Sequence, residues 1–588
     1  MSAPAPKEPA LIVPTNILRI AKAVAGQVAA LDRARHHVGP DEQVPERREI
    51  ADVLAESADK LSTGAFGGLT EPYYHVDKMM SGEVTGRIKS NHKDEISLFA
   101  AHLGDRFRRL ARFAIALLLL SPLVCARADD GRAAKNSRIA ADVFPRIADL
   151  NAHLSQEKAT ELPMKMRSLV SGEFQFYRGS ADLFYDWCAK NASDWANDKD
   201  AFLRLHGDIH IGNIGTLRVT GPGGTAIGFG LVDFDETVEG PFQLDLLRGA
   251  VSLRFAARDQ DSPLADESWH RVVAAMCDAY GEAISGDVSV TRLEAEYKPI
   301  RKLMDDASSG KPWKHAKKYL VKKRDDRFAR IRFKKKKPSD IMSPVDANAR
   351  SEVVAALWDA RNLRGTRLVD SIGLSDRDRL EAAVRDVARW TRLGSGGSQG
   401  LDKFLVLLDR KVIGENGPFI IELKEEPASA AERAGYLAAS KSGKTRARDV
   451  VEGHERLWMQ SPWCVGYSAI GDKGFLVRSK GPWAEELDED DFEGMAGTMR
   501  AAKIIGSAVG LAHRAGLRSA TGNNQAVVQT IQSQLAKSAG EIEQRGKQLD
   551  DHLRAQFTSL KNDPRAAKLV QQADAFIASA LRNGSSNR

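Results

Sequence analysis

The chain has 588 residues, 43% hydrophobic and 28% charged, with a net charge of +7. That balance is ordinary for a soluble globular protein, and the mildly basic total says little about partners. The four cysteines, Cys125, Cys188, Cys277 and Cys464, lie far apart without metal-ligand spacing. This suggests neither a cysteine zinc site nor a disulfide-framed secreted scaffold, and the cysteines read as small buried hydrophobes. The length corresponds to roughly four domains, fewer if large lobes merge, with ample chain for a sizeable core.

Residues 1–134 form an N-terminal segment, polar and helical in expectation, in which PTNILRIAKAVAGQVAALDRA spaces apolar residues as a helix does. The stretch RFRRLARFAIALLLLSPLVCARADD, 106–130, interrupts it. Its apolar part, 113–126, is shorter than the roughly 20 residues that span a bilayer. Basic residues before it and the small-residue ARA after it are signal-like. A buried helix, a membrane-surface anchor and a signal with a downstream start are three open readings. An exported or membrane-associated protein is therefore the alternative to a cytoplasmic one.

The pattern changes near 135, where a second region, 135–384, begins. The aromatic run FQFYRGSADLFYDW (174–187) leads into RLHGDIHIGN (204–213), and GTAIGFGLVDFDE then reads as a strand ending in acids. DLLRGAVSLRFAARD (245–259) reads as a helix with an apolar face at Leu246, Ala250, Leu253 and Ala257. A basic insertion occupies 311–337. It reads as a solvated helix, or as a contact for an acidic substrate, nucleic acid or an anionic surface, with Trp313 and Phe333 as stacking groups.

In the third region, 385–520, the texture turns to strands: RWTRLGSGGSQGLDKFLVLLD, then GPFIIELKEE. ARDVVEGHERLWMQ is helical, CVGYSAIGDKGFLVRS is a strand pair turning at GDKG, and MRAAKIIGSAVGLAHRAG is a helix expected to stop at Gly516. Residues 521–588 form a polar helical tail with a Gly/Ser-rich end, and no internal repeat is present.

Two chemistries fit the cluster at 204–213. On a straight strand, His206, Asp208 and His210 would share one face and hold a transition metal for hydrolysis, with Asp233 or Asp235 completing the shell. Gly207 and Gly212 favour a loop instead. Phosphoryl transfer needs a carboxylate for the acceptor hydroxyl, oxygen ligands for magnesium and a cation for the nucleotide phosphates. Asp208 fits the first role, and Asn213 and Asp233 fit the second. In PFIIELKEE, alternation puts Lys424 on the face opposite Phe419, Ile421 and Leu423, where it can meet a cleft.

HGDIHIGN resembles the catalytic loop of the aminoglycoside phosphotransferase and choline kinase branch of the protein-kinase-like fold. VDFDE looks like its metal-binding D-F-G element, and GPFQLDLLR is similar to the D-P-x-x-D-L segment that follows there. The resemblance implies a two-lobed α+β protein that binds ATP and magnesium and phosphorylates a hydroxyl on an unknown small-molecule or protein acceptor. Asp208 would be catalytic within a loop completed by His206 and His210, the latter as a bracing partner. Asn213 and Asp233 would hold metal, and Asp245 would brace the loop. The sequence departs from the pattern at Asp235, in place of glycine, either a second metal ligand or a mark of altered chemistry. It also has Ile211 where relatives often carry proline.

The nucleotide parts expected upstream occur downstream. GSGGSQG supplies Gly394, Gly396, Gly397 and Gly400 to cover phosphates, Lys424 is the phosphate-pairing lysine, and Glu452 or Glu455 is its partner. AVGLAHRAG resembles the helix that normally enters the catalytic loop. The implied order is circularly permuted, as chains with close surface termini tolerate. With FQFYRG ahead of the loop, the order resembles a bacterial family of unassigned role, domain of unknown function 2252, over about residues 140–520. That pattern places Arg178 near the site, against phosphate or in an aromatic–arginine corner. Need of ATP favours the cytoplasm. Transfer of a nucleotide, activation of a carboxylate, a non-catalytic nucleotide-binding module and the metal-dependent hydrolase are the alternatives.

Overall fold

The structure is a computed structural model that describes residues 143–151 and 160–583, except 198, 222–223, 261, 317–318, 322–329, 332–339, 393–398, 410–417, 438–442 and 520–523. The chain divides into two compact units, Met1–Lys135 and Asn136–Arg588, and the described residues belong to the second. The expectations for 1–134, with the signal-like 106–130, lie outside the described residues. So do Gly394, Gly396 and Gly397 and most of 311–337. Among the described residues, no helix is long and apolar enough to cross a membrane.

The unit is α+β. Helices α1 (Val143–Leu150), α2 (Glu161–Leu169), α3 (Glu173–Gly179) and α4 (Ala181–Asn191) precede strand β1 (Phe202–Leu205). Strands β2 (Ile214–Gly221) and β3 (Gly224–Leu231) form a hairpin closed at its base by Ile214 opposite Leu231. Strand β4 (Val238–Pro241) returns to β1, with Val238 opposite Leu205. Residues 206–213 and 232–237 are therefore pinned between two antiparallel ladders. Two loops distant in sequence cannot drift apart when their ends are hydrogen-bonded to each other.

Helix α5 (Gln243–Asp259) follows, then α6 (Asp266–Ser285). A single apolar face was expected of α5; instead every residue from Gln243 to Ala257 is buried. Helices surround it, so its charged residues need internal partners, and they find them.

Strands β5 (Asp340–Pro344), β6 (Val384–Arg392), β7 (Lys403–Leu408), β8 (Phe419–Glu425), β9 (Val465–Ile470) and β10 (Lys473–Lys480) build an antiparallel sheet in the order β9-β10-β8-β7-β6-β5. Helix α7 (Ala347–Asp359), capped by the Asp346 carboxylate accepting from the Ala349 amide, covers one face. Phe419, Ile421 and Leu423 point into that core, whereas Ile420 packs on the other face with Trp390, Leu405 and Leu407. The alternation that predicts Lys424 on the second face holds.

Helix α8 (Gly443–Arg456) lies against β9 and β10. Helix α9 (Gly494–Ser519) packs along α6. The expected stop at Gly516 is not made. The helix runs three residues further, and Gly516 is where the Leu457 side chain comes close. Helices α10 (Asn524–Lys561) and α11 (Pro564–Asn583) complete the unit. The tail reading undervalues α10, whose Ile531, Ile542, Leu549, Leu553 and Leu560 are buried in the main core.

Candidate active site

The loop after β1 is held from beneath. Asp245, at the start of α5, accepts from the His206 amide at 2.8 Å and the Gly207 amide at 2.9 Å. His513 of α9 reaches the same carboxylate at 3.1 Å, and Tyr280 of α6 meets the other nitrogen of His513. All five residues are buried. Burial pushes the Asp245 carboxyl up, but the contact with His513 outweighs it and holds the group below its ordinary value. Gly207 has φ 86°, and a side chain there would meet the carbonyl of Glu236 at 2.1 Å. Only glycine fits a left-handed turn so close to another backbone.

His206 is fully buried, its Nε2 2.7 Å from the Val232 carbonyl and its Nδ1 accepting from the Asp208 amide at 3.2 Å. Both nitrogens are thus committed: Nε2 joins the two loops and Nδ1 braces its own. The straight strand that would gather His206, Asp208 and His210 around one metal is not formed, because β1 ends at Leu205 and a loop follows.

Asp208 is oriented by Arg248, whose guanidinium contacts Oδ1 at 2.8 Å and is itself 1% exposed. Arg248 donates to the Tyr177 carbonyl at 2.9 Å and lies 4.1 Å from the Tyr177 ring centre. Asn213 donates its amide to the Asp208 carbonyl at 2.8 Å, which commits its nitrogen and leaves its oxygen as the acceptor end. The segment 232–236 carries a second set of acids. Asp233 has φ 62°, a left-handed conformation uncommon outside glycine and a mark of positions held for function.

Lys424 crosses from the sheet to this acidic segment. Its Nζ lies 3.1 Å from Asp233 Oδ1 and contacts Asp235 Oδ2, with Glu426 Oε1 at 4.0 Å. The lysine is 3% exposed, whereas the Asp233 side chain is 42% exposed, so the acid faces the open side. Burial disfavours the ammonium, but Asp233, Asp235 and Glu426 together raise its pKa above the ordinary lysine value. Enclosure pushes the Asp233 carboxyl up, and Lys424 and Arg478 overcome this and hold it well below the usual carboxylate range. Asp235 goes the other way, raised by burial and by the charge of Asp233. On the same face, Glu422 binds Arg478 at 2.8 Å.

Neither Glu452 nor Glu455 partners Lys424. Glu452 pairs with Arg204 at 3.3 Å and with Arg456, and Glu455 accepts from the Leu363 amide at 3.2 Å. Both turn to other faces of α8, and the residue that this helix sets against Phe234 is His454, fully buried at 4.6 Å between ring centres. The nearby glutamate comes from the chain just past the lysine's own strand, at Glu426. Gly400 has φ 88° and follows Gln399, which donates to Glu161 of α2 at 2.6 Å. Arg178, at the end of α3, lies beside Gly212.

Sequence reasoning missed Arg248, His513, His454, Glu426 and the Glu422–Arg478 pair. A signal existed for Arg248: it stands three residues after Asp245 in an apolar helix, so both face the loop. His513 had no local signal, since its partner is 268 residues away.

The donor set suits a hard cation. Asp235 Oδ1 and both carboxyl oxygens of Glu426 are buried without a hydrogen-bond partner among the described residues, and burial, then the charge of Asp235, push the Glu426 pKa well above its ordinary value. Among the described residues, no three His, Cys, Asp or Glu side chains gather closely enough to hold a metal alone.

An α+β unit with a pinned acidic loop, a braced aspartate and a buried lysine defines the class. The chain belongs to a family described as uncharacterised proteins conserved in bacteria, DUF2252, whose match covers residues 158–562. The match thus runs past the expected limit near 520 and takes in α10. Comparison with curated proteins and with solved structures finds no match.

Proposed function

We propose that the chain is an ATP- and magnesium-dependent phosphotransferase acting on a hydroxyl group, built on a two-lobed protein-kinase-like fold of circularly permuted order. The observation that carries this reading is the 3.1 Å contact between Lys424 and Asp233, which joins the sheet to the pinned loops. The loops between β1 and β4, with α5 and α6, would supply the catalytic half, and the sheet β5–β10 with α7 the nucleotide half, which moves the boundary expected at 384 back to about 340. Asp208, fixed by Arg248, orients the acceptor hydroxyl and takes its proton as the oxygen attacks the terminal phosphorus of ATP, whose bond to the bridging oxygen breaks to release ADP. Lys424 neutralises nucleotide phosphates beneath the loop ending at Gly400. Asn213, Asp233 and Asp235 supply the oxygens that would hold magnesium, which balances charge on the phosphates. Alignment and charge placement, rather than covalent chemistry by the protein, provide the catalysis.

Ligand that binds the folded state raises the melting temperature. Magnesium and ATP together should therefore stabilise the full chain by several degrees, and Lys424→Met or Asp233→Asn should erase the shift. A panel of nucleotides that leaves the wild-type chain unmoved, with and without magnesium, refutes the reading. Asp208→Asn should keep the shift and lower phosphate transfer, to water or to an acceptor, by about a thousandfold or more. Product mass distinguishes transfer of phosphate from transfer of nucleotide.

A further inference from the structure

Arg178 ends α3, next to the Tyr177 that anchors Arg248. Its guanidinium is half-buried and 5.8 Å from the centre of the Phe174 ring, and it forms no hydrogen bond or ion pair with a described residue. Glu486 and Glu489 are near enough to feel its charge, yet neither pairs with it. Phe174 also meets the His210 ring edge-on at 6.2 Å. His210 is 2% exposed, and its Nδ1 has no partner among the described residues.

The two groups border one space. A methyl group built on Gly212 would lie 3.3 Å from His210 Nδ1 and 3.7 Å from the Arg178 guanidinium. Gly212 has ordinary backbone angles, and a methyl group there would crowd the His210 ring, so the bare glycine is what leaves the ring nitrogen and the guanidinium facing each other. Burial, then the charges of Arg178 and Arg248, hold the His210 pKa well below its ordinary value, so the ring is neutral and can present an N–H at Nδ1. An unpaired guanidinium and an unsatisfied ring nitrogen facing one gap are complementary to an oxyanion.

We infer that Arg178 and His210, which face each other across the bare backbone of Gly212, form an oxyanion subsite that takes a phosphate group beside Asp208 and Asn213. It adds a binding element to the proposed phosphotransferase, and depends on that reading only for which phosphate it receives. The source is either the terminal phosphate of the nucleotide or an anionic group on the acceptor.

Titration calorimetry on the full chain with inorganic phosphate tests it. The wild-type protein should bind phosphate. Arg178→Gln and Gly212→Ala should each weaken binding at least tenfold, and Arg178→Lys should restore part of it. Circular dichroism confirms folding, and Gly212→Ala decides the matter if Arg178→Gln unfolds. Absence of phosphate binding by the wild type, or equal affinity across the variants, overturns the subsite. Where the variants lose ATP affinity and keep ADP affinity, the terminal phosphate is the occupant. Where both nucleotides bind as before while phosphate binding falls, the acceptor carries it. Arg178-dependent phosphate binding without any nucleotide binding would defeat the phosphotransferase reading and leave the subsite standing.

Discussion

Single residues in the site are committed to one another rather than to solvent, and His454 is the exception with a measurable consequence. Its ring is fully buried, and neither nitrogen has a hydrogen-bond partner among the described residues. Burial, and then the charge of Arg478, hold its pKa well below the ordinary value. The folded chain therefore keeps this ring neutral, whereas the unfolded chain protonates it below about pH 6.5. The stabilisation is complete above that pH and is lost as pH falls through it. His454→Leu should remove one proton from this linkage. Urea unfolding at pH 7.5, 6.5 and 5.5 should show the wild type losing up to about 1.4 kcal/mol per pH unit relative to the variant below 6.5. Parallel curves would count against it. The lysine, the acids at 208 and 233 and the asparagine were legible because each stands in a short motif. His454 was not, because helical projection drew attention to the glutamates on either side of it, Glu452 and Glu455.

Elements were legible where periodicity was clean and partly misjudged where burial was complete. The alternation in β8 placed Lys424 correctly because one face of the sheet is packed and the other meets a cleft. Helix α5 was given one apolar face, although charged residues that would mark the wet side, Asp245, Arg248 and Arg254, all have internal partners. Helix α10 read as a polar tail for the same reason. Its Asp550 is fully buried, bonded to Arg254 at 2.9 Å and to Arg258 at 2.7 Å on α5. Removing one side of a buried ion pair strands the other, a loss of about 3 to 5 kcal/mol where the remaining charge is fully buried. The two arginines keep slight exposure, so Asp550→Ala should cost about 3 kcal/mol. Denaturant midpoints measure this, and a change below about 1 kcal/mol would mean that α10 is docked by its apolar residues alone.

At the scale of the unit, order along the chain and order in space diverge. The loop at 206–213 comes first, the sheet that supplies the lysine comes next, and the helices that close the core come last. No single-sequence pattern reveals that α9 must return to brace Asp245, or that α10 must cover α5, because those contacts join segments more than 250 residues apart. A chain ending at residue 520 keeps every motif and lacks α10 and α11. It should fail to fold cooperatively, because the apolar surface against Ile531, Ile542, Leu549 and Leu553 is exposed. Far-ultraviolet circular dichroism during heating would reveal this as a broad, early transition. A sharp melt like that of the full chain would show that the last helices are dispensable.

The separation of 191 positions from Asp233 to Lys424 carries a consequence for synthesis. A ribosome delivers the acidic loop long before the lysine that neutralises it, so the growing chain holds several carboxylates with no counter-ion of their own. The acids at 233 and 235 gain their lysine only when the far strand emerges and closes over them, so this part of the candidate site is assembled late in synthesis.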